Sequence, residues 1–218
     1  ESELAQLLED NPCCAVLLEP VQGEGGVVPL TAAFMQAARQ LTEQHDCLLM
    51  VDEVQTGNGR TGELYGYMHY GVQPDVISTA KGLAGGLPMG ACLLGEKVQD
   101  TLTPGSHGST FGGNPVCAAG ALCVLKRLDD ALLAEVREKS AYIFSELTDC
   151  QNVKSMTGLG LMIGIETTKD ARALVESLLG RGVVTLTAKN KLRLLPPLTI
   201  PMEQLQKAVH IIKEEIEA

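Results

Sequence analysis

The chain has 218 residues and a formal net charge of −10, with 45% hydrophobic and 20% charged residues. This composition is typical of a globular protein and excludes a disordered or collagen-like chain. An acidic chain without a run of about 20 apolar residues is poorly suited to nucleic acid, to an anionic membrane surface or to spanning a bilayer. We therefore expect neither nucleic acid nor membrane as a partner.

The first half of the chain predicts alternating strands and helices. Four short apolar runs have the length of buried strands: Cys13–Leu18, Leu48–Val51, Val76–Thr79 and Ala91–Leu94. Between the first two runs, Thr31–Gln44 has apolar residues at helical spacing, with Thr31 as the N-cap. A strand, helix and strand at this spacing predict a parallel sheet with covered faces, hence an α/β fold.

The pattern changes near Gly113, where we place a domain boundary between 1–113 and 114–218. Asn114 is suited to cap a helix that has Pro115 at its first position. Further helices are predicted at 131–147, at 171–179 and after Pro201, with strands at 161–165, 183–186 and 192–195. These shorter elements predict a second α/β unit.

Cysteine and histidine usage bears on location and on metals. The seven cysteines form no Cys-x-x-Cys pair, and six lie in apolar sequence surroundings that predict small buried side chains: Cys13, Cys14, Cys47, Cys92, Cys117 and Cys123. A reducing, cytoplasmic setting is the favoured interpretation. The four histidines are far apart in sequence and predict no metal site.

Two predicted strand ends carry charged residues that suit catalysis. The run Leu48–Val51 leads into Asp52, and Val76–Thr79 leads through one alanine into Lys81. Ligands of open parallel sheets bind outside the carboxyl ends of the strands. Taken singly, Asp52 is more simply a loop-capping carboxylate and Lys81 a solvated lysine. Beside loops dense in glycine, the pair favours one shared site.

An acid and a lysine at one site suit pyridoxal 5'-phosphate. A lysine in an apolar pocket loses its proton more readily and can form a Schiff base with the aldehyde of this cofactor. The acid would keep the pyridine nitrogen protonated, so that the ring acts as an electron sink. Two alternatives remain open: a nucleotide- or phosphosugar-binding α/β domain with Lys81 on a phosphate, and a non-catalytic chain that only dimerises.

Five blocks of sequence carry a more specific resemblance. They occur in the order Glu19–Gly26, Val51–Gly62, Thr79–Gly82, Gly105–Pro115 and Leu192–Leu198. The chain resembles, over essentially its whole length, the class III pyridoxal-phosphate-dependent aminotransferases. This resemblance implies the fold type I of pyridoxal-phosphate-dependent transferases: part of the large parallel-sheet domain, followed by the small C-terminal α/β domain. It also implies a homodimer.

The resemblance implies cofactor-binding roles for five residues. Lys81 would be the Schiff-base lysine and the general base, and Asp52 would pair with the pyridinium nitrogen. Val54 would press against one ring face, and Gln55 would hydrogen-bond the phenolic oxygen. Thr110 would reach the phosphate of the cofactor held mainly by the neighbouring subunit. From the residues alone, Val54 is most simply a core valine, and Thr110 could be an ordinary turn hydroxyl.

Three further residues match positions that bind substrate in the family. Arg193 resembles the arginine that grips a substrate carboxylate, a task that suits the planar guanidinium; a surface ion pair is the simpler alternative. Glu24 resembles the acid that pairs with this arginine and moves aside for dicarboxylic substrates. Glu19 resembles a nearby supporting acid.

The likeness is greatest to members that transfer an amino group from N-acetylornithine to 2-oxoglutarate, in arginine biosynthesis. Succinylornithine, ornithine and 4-aminobutyrate are the alternative amine substrates. Members of the family are about twice as long, and their upstream half supplies the helix N-terminus that holds the cofactor phosphate. We therefore expect a polypeptide of these 218 residues alone to be inactive.

Overall fold

The structure is a computed structural model that describes all residues, Glu1–Ala218. Its helices are α1 (Ser2–Asp10), α2 (Ala32–Gln44), α3 (Pro115–Leu125), α4 (Asp130–Leu147), α5 (Ala171–Gly180) and α6 (Met202–Glu217). Its strands are β1 (Ala15–Leu18), β2 (Val21–Gln22), β3 (Val28–Pro29), β4 (Leu48–Asp52), β5 (Val76–Thr79), β6 (Ala91–Leu94), β7 (Val153–Leu159), β8 (Met162–Thr167), β9 (Leu186–Ala188) and β10 (Lys191–Leu194). Short 3-10 helices lie at Gly66–Tyr70 and Lys81–Ala84. None of the helices is long and apolar enough to cross a membrane.

The chain forms two compact units that interleave in sequence. The first unit comprises Glu1–Pro20, Leu30–Asn58 and Glu63–Asp129, and the second comprises Val21–Pro29, Gly59–Gly62 and Asp130–Ala218. The compact units therefore differ from the predicted division at residue 113. Helix α3 belongs to the first unit because a Cβ at its Gly120 would lie only 3.1 Å from the Ala84 carbonyl oxygen. Val21 and Val27 belong to the second unit because they share a buried cluster with Met162.

The first unit is built on a four-stranded sheet in the order β1-β4-β5-β6. Strands β1, β4 and β5 are parallel, as the strand–helix–strand pattern predicts. Strand β6 runs antiparallel to β5, and its residues Ala91–Leu93 are exposed. The prediction of four buried strands is therefore wrong for both edge strands: β6 is mostly exposed, and β1 has no fully buried residue and an exposed Leu17.

The local signals for α2 and α3 are confirmed. The Thr31 hydroxyl accepts a hydrogen bond from the Phe34 amide at 3.1 Å and caps α2. The Asn114 side chain accepts from the Val116 and Cys117 amides, at 3.0 and 3.2 Å, and caps α3. These bonds satisfy amides that a helix N-terminus otherwise leaves without partners.

The second unit is built on an antiparallel sheet in the order β7-β8-β10-β9. Its core is formed by buried side chains of α4, α5, α6 and the sheet, among them Ile143, Leu178, Ile212 and Ile163. Helices α4, α5 and α6 lie where the sequence predicts them. The strand predicted at 183–186 overlaps β9 only at Leu186, and β7 is not predicted.

The cysteine environments differ from the prediction. Cys13, Cys14, Cys92 and Cys123 are exposed, whereas Cys47, Cys117 and Cys150 are buried. The exposed ones precede β1, lie on the edge strand β6 or occupy an outer face of α3. An apolar sequence neighbourhood does not guarantee burial at such positions, because a strand edge and a helix each present part of their surface to solvent.

Candidate active site

The structure brings three predicted site residues to one edge of the first sheet. Strands β1 and β4 pair in parallel, so Glu19, directly after β1, lies beside the end of β4. Asp52 closes β4 and pairs in register with Ser78 of β5. Lys81 follows the end of β5, with one residue, Ala80, between them. Glu19, Asp52 and Lys81 thus lie at or just after the carboxyl ends of three neighbouring parallel strands, where ligands of α/β sheets bind.

Asp52 is half-buried and shapes the turn that follows β4. Its Oδ1 accepts a hydrogen bond from the Val54 amide at 2.9 Å. One oxygen of Asp52 therefore caps the loop, as the simpler interpretation of this residue predicts. The second oxygen, Oδ2, is left for an external donor, so Asp52 can cap the turn and pair with a cation at the same time.

The neighbouring acid, Glu53, is fully buried and anchors the same turn. Its carboxylate accepts hydrogen bonds from the Thr56 hydroxyl at 2.5 Å and from the Gly66 and Tyr67 amides at 2.8 Å each. Burial raises the pKa of Glu53 above its ordinary value, while these donors oppose the rise. Sequence reasoning missed this role, although the adjacent acid pair at the strand end was a visible signal.

Lys81 is exposed and begins the short 3-10 helix after β5. Its φ of +45° lies in the left-handed region, which costs a residue other than glycine about 1–2 kcal/mol. Strained backbone of this kind persists only where surrounding contacts hold it, and it clusters at functional sites. The functional role of Lys81 stays a prediction, because the exposed Lys189 has a similar φ of +52°.

Asn58 supplies contacts that hold the segment before Lys81. Its Nδ2 donates to the Thr79 hydroxyl at 3.0 Å and to the Ala80 carbonyl at 3.3 Å. Asn58 itself has a φ of +56°, a conformation that asparagine tolerates better than most residues. Sequence reasoning missed this residue as well, although its position between two glycines is typical of such backbone.

Val54, Gln55 and Thr110 complete the predicted cofactor set. Val54 and Gln55 are half-buried in the turn after β4, and Thr110 is exposed in the segment that leads to α3. The turn that carries Val54 is fixed by Asp52 on one side and by Glu53 on the other. The ligand contacts of these three residues stay predictions.

In the second unit, Arg193 lies in a row of residues that crosses three strands. Gly164 of β8 pairs with Thr157 of β7 and with Arg193 of β10. Arg193 Nη1 donates to Glu24 Oε1 at 2.7 Å. Its Nε is buried and has no hydrogen-bond partner. A buried guanidinium with an unpaired N–H is suited to bind an additional anion, because the missing hydrogen bond is costly.

Glu24 lies on the turn between β2 and β3. Amides of Gly26 and Val27 donate to the Gly23 carbonyl oxygen at 3.3 and 3.2 Å and close this turn. The side chain of Glu24 is 74% exposed, whereas that of Arg193 is only 8% exposed. The Glu24 carboxylate is well solvated when it leaves, so the cost of separating the pair falls on the buried guanidinium, and another anion in the place of Glu24 would offset that cost.

Arg60, which lies in the second sequence block without a predicted role, is structural. Its Nη1 donates to the carbonyl oxygens of Leu161 and Pro196 at 3.0 and 2.6 Å. Burial lowers the pKa of Arg60 to about 10. Arg60 thus fixes the loop that follows β10, the strand of Arg193.

Comparison with known proteins identifies relatives over nearly the whole chain. A family model described as aminotransferase class-III matches residues 1–216. The acetylornithine aminotransferase of Haemophilus ducreyi is 48% identical over 209 residues, which is 95% of this chain and 53% of that protein. The acetylornithine aminotransferase of Aquifex aeolicus is 43% identical, over 95% of this chain and 55% of that protein. The chain thus spans about half the length of the curated relatives it matches.

Solved structures show the same similarity. The ornithine delta-aminotransferase of Plasmodium falciparum aligns with a TM-score of 0.90 at 36% identity, covering 99% of this chain and 59% of that one. The acetylornithine aminotransferase of Elizabethkingia anophelis aligns with a TM-score of 0.89 at 34% identity, covering 99% and 57%. The ornithine aminotransferase of Toxoplasma gondii, whose active site holds pyridoxal phosphate at partial occupancy, aligns with a TM-score of 0.88 at 33% identity, covering 99% and 53%.

Proposed function

Because the chain belongs to the class III aminotransferase family and has its α/β fold, we propose that it carries the catalytic lysine of a pyridoxal-phosphate-dependent aminotransferase. The donor would be N-acetylornithine and the acceptor 2-oxoglutarate, a step of arginine biosynthesis. The single observation that carries the proposal is the position of Asp52 and Lys81 at the ends of the adjacent parallel strands β4 and β5.

The residues at these strand ends fit pyridoxal phosphate. When bound, this cofactor supplies a ring that withdraws electrons from the reacting carbon of the substrate. Asp52, with one carboxylate oxygen free of the turn bond, would hold the ring nitrogen in its protonated state. Val54 and Gln55 would contact one ring face and the phenolic oxygen, and Thr110 would reach the phosphate of the partner's cofactor.

Lys81 would perform two tasks. Its amine would hold the cofactor covalently through the aldehyde carbon. Once the substrate releases it, the same amine would act as the general base that takes a proton from the amine-bearing carbon of the substrate and would deliver it to the former aldehyde carbon of the cofactor. The left-handed backbone at Lys81, with the Asn58 contacts before it, would fix the starting point of the side chain for both tasks.

Arg193 and Glu24 would select between the two substrates. In 2-oxoglutarate the reacting carbon carries a carboxylate, which the buried guanidinium of Arg193 would bind. In N-acetylornithine the reacting carbon carries no carboxylate, and Glu24 would then remain on Arg193 at the observed 2.7 Å. Glu19, beside the end of β4, would support the site as a neighbouring acid.

N-acetylornithine is favoured as donor because the curated relatives at 48% and 43% identity are acetylornithine aminotransferases. Ornithine is the second candidate, since structural relatives at 36% and 33% identity are ornithine aminotransferases. A homodimer would bring Thr110 to the partner's cofactor. A cytoplasmic location remains a prediction from the cysteine content.

Steady-state kinetics of the complete gene product that contains this sequence test the proposal. We expect turnover of N-acetylornithine with 2-oxoglutarate and a lower kcat/KM for ornithine. Asp52→Asn should lower kcat on the order of 10²- to 10³-fold, as for other losses of a preorganised charge partner. Asp46→Asn, at an exposed carboxylate before the same strand, is the matched control and should retain activity. Absence of amino transfer to 2-oxoglutarate would refute the proposal.

A further inference from the structure

A chain of hydrogen bonds runs from Lys191 to the turn that carries Glu24. Lys191 Nζ donates to Thr157 Oγ1 at 2.8 Å, and Thr157 Oγ1 donates to the Val27 carbonyl oxygen at 2.6 Å. The direction of both hydrogen bonds is fixed: the Lys191 ammonium can only donate, and the Val27 carbonyl oxygen can only accept. The chain therefore ends on Val27, three residues after Glu24.

The surroundings of Val27 show that this turn is closely fitted. Val27 is fully buried and has a φ of +52°, a strained conformation for a β-branched residue. A Cβ at Gly164 would lie 2.9 Å from the Val27 Cβ and 3.1 Å from the Lys191 Cδ. Val27 and Lys191 thus both pack against Gly164, in space that a side chain at this position would fill.

The register of the sheet places these residues beside Arg193. Thr157 and Arg193 both pair with Gly164, and Lys191 lies two residues before Arg193 on β10. Residues paired across strands, and residues two apart along a strand, share one face of a sheet. Thr157, Lys191 and Arg193 therefore share a face, on which the Glu24 turn rests through Val27.

We propose that Thr157 and Lys191 are positioning residues that hold Glu24 over Arg193 and so set how readily a substrate carboxylate replaces it. This rests on the proposed function of Arg193 and Glu24. Loss of the Thr157 bond to Val27 frees the turn directly, and loss of the Lys191 bond removes the donor that orients the Thr157 hydroxyl toward Val27, so that in both cases the closed Glu24–Arg193 pair becomes less populated. Arg193 is then more available to 2-oxoglutarate, while N-acetylornithine, which has no carboxylate on its reacting carbon, gains nothing.

The test uses the complete gene product loaded with cofactor. Thr157→Val removes both hydrogen bonds, Lys191→Met removes only the bond between Lys191 and Thr157, and Thr157→Ser retains the hydroxyl. Lys154→Met, an exposed lysine on the same strand as Thr157, is the control. Hydrogen exchange by mass spectrometry follows peptides that contain Gly26 and Val27. Steady-state kinetics give KM for each substrate.

We expect faster exchange in this turn for Thr157→Val and Lys191→Met, and wild-type exchange for Thr157→Ser and Lys154→Met. The ratio of KM for 2-oxoglutarate to KM for N-acetylornithine should fall about threefold to tenfold in the first two variants, as for the loss of one net hydrogen bond.

Unchanged exchange in Thr157→Val, or faster exchange with an unchanged KM ratio, would overturn the inference. The exchange measurement needs no turnover. A wild-type protein without aminotransferase activity would refute the proposed function, whereas unchanged exchange in an active protein refutes the positioning role alone.

Discussion

At the scale of single residues, the adjacent acids Asp52 and Glu53 have opposite surroundings. Successive residues at the end of a strand point to opposite faces. Asp52 is half-buried at the sheet edge, whereas Glu53 points into the interior and binds the amides of Gly66 and Tyr67. The first is suited to a ligand, and the second fixes the turn that presents it.

The three hydrogen bonds that Glu53 accepts should contribute to the stability of the protein. Glu53→Gln keeps the shape but turns one acceptor oxygen into a donor that must face the amides or the hydroxyl of Thr56. We expect the free energy of unfolding to fall by about 1–3 kcal/mol, the cost of leaving a buried donor unpaired. Urea unfolding measures this fall, with the exposed Glu9→Gln as the control. Equal stability of the two variants would show that the anchor is dispensable.

The positions of Asp52 and Lys81 at one edge could be predicted from the sequence, because each lies at or just after the end of a short apolar strand. The roles of Glu53 and Asn58 could not. Their partners, such as Gly66 and Thr79, come from other segments of the chain, and no local pattern indicates which segments meet.

At the scale of elements, a tyrosine ties together the two ends of the β2–β3 hairpin. The Tyr70 hydroxyl is shared between the carbonyl oxygens of Pro20, at 3.0 Å, and Leu30, at 3.1 Å. These residues immediately flank Val21–Pro29. The hairpin that carries Glu24 therefore starts and ends at one fixed point of the first unit.

The hydrogen bonds of Tyr70 predict that the protein loses stability at alkaline pH. Burial raises the pKa of Tyr70 to about 12, above the roughly 10 expected in the unfolded chain. The contribution of Tyr70 to the free energy of unfolding is therefore complete below about pH 10 and is lost as the pH rises through about 12. We expect the stability gap between wild type and Tyr70→Phe, measured by urea unfolding, to narrow over this interval, since other titrating groups are common to both proteins. A gap that is independent of pH would contradict the assignment.

Strand β8 packs so closely against Val27 at Gly164 that we expect a larger residue there to destabilise the protein. Gly164→Ala places a Cβ 2.9 Å from that of Val27, and overpacking of this kind costs about 1–3 kcal/mol. Gly180, where a Cβ meets nothing within 4 Å, is the matched control, and Gly180→Ala should change stability by less than about 0.5 kcal/mol. Thermal unfolding of both variants measures the difference. A stable Gly164→Ala protein would mean that the hairpin can shift without cost.

Elements with strong local signals could be predicted, and those set by tertiary pairing could not. The caps Thr31 and Asn114 act within their own helices, so the sequence alone locates them. The strand β7 has no strict alternation and is defined by its pairing with β8. The exposure of β6 follows from its place at the sheet edge, which no residue pattern reveals.

At the scale of the whole molecule, the division into units follows tertiary contacts and not chain order. The segment Val21–Pro29 joins the second unit through buried Val21 and Val27, although it lies between parts of the first. A single boundary in the sequence cannot describe a segment that belongs to the other unit. Glu24, which we propose to act at the substrate site, thus belongs to the same compact unit as Arg193, although the two residues are 169 positions apart in sequence.

The proposed aminotransferase activity depends on Lys81 as the residue that holds the cofactor. Borohydride reduction of the complete gene product with pyridoxal phosphate, followed by peptide mass mapping, tests this directly. We predict the reduced cofactor on Lys81, its loss in Lys81→Ala and its retention in Lys126→Ala, an exposed lysine after α3. Label on a different lysine, or no label on a folded protein, would contradict the account.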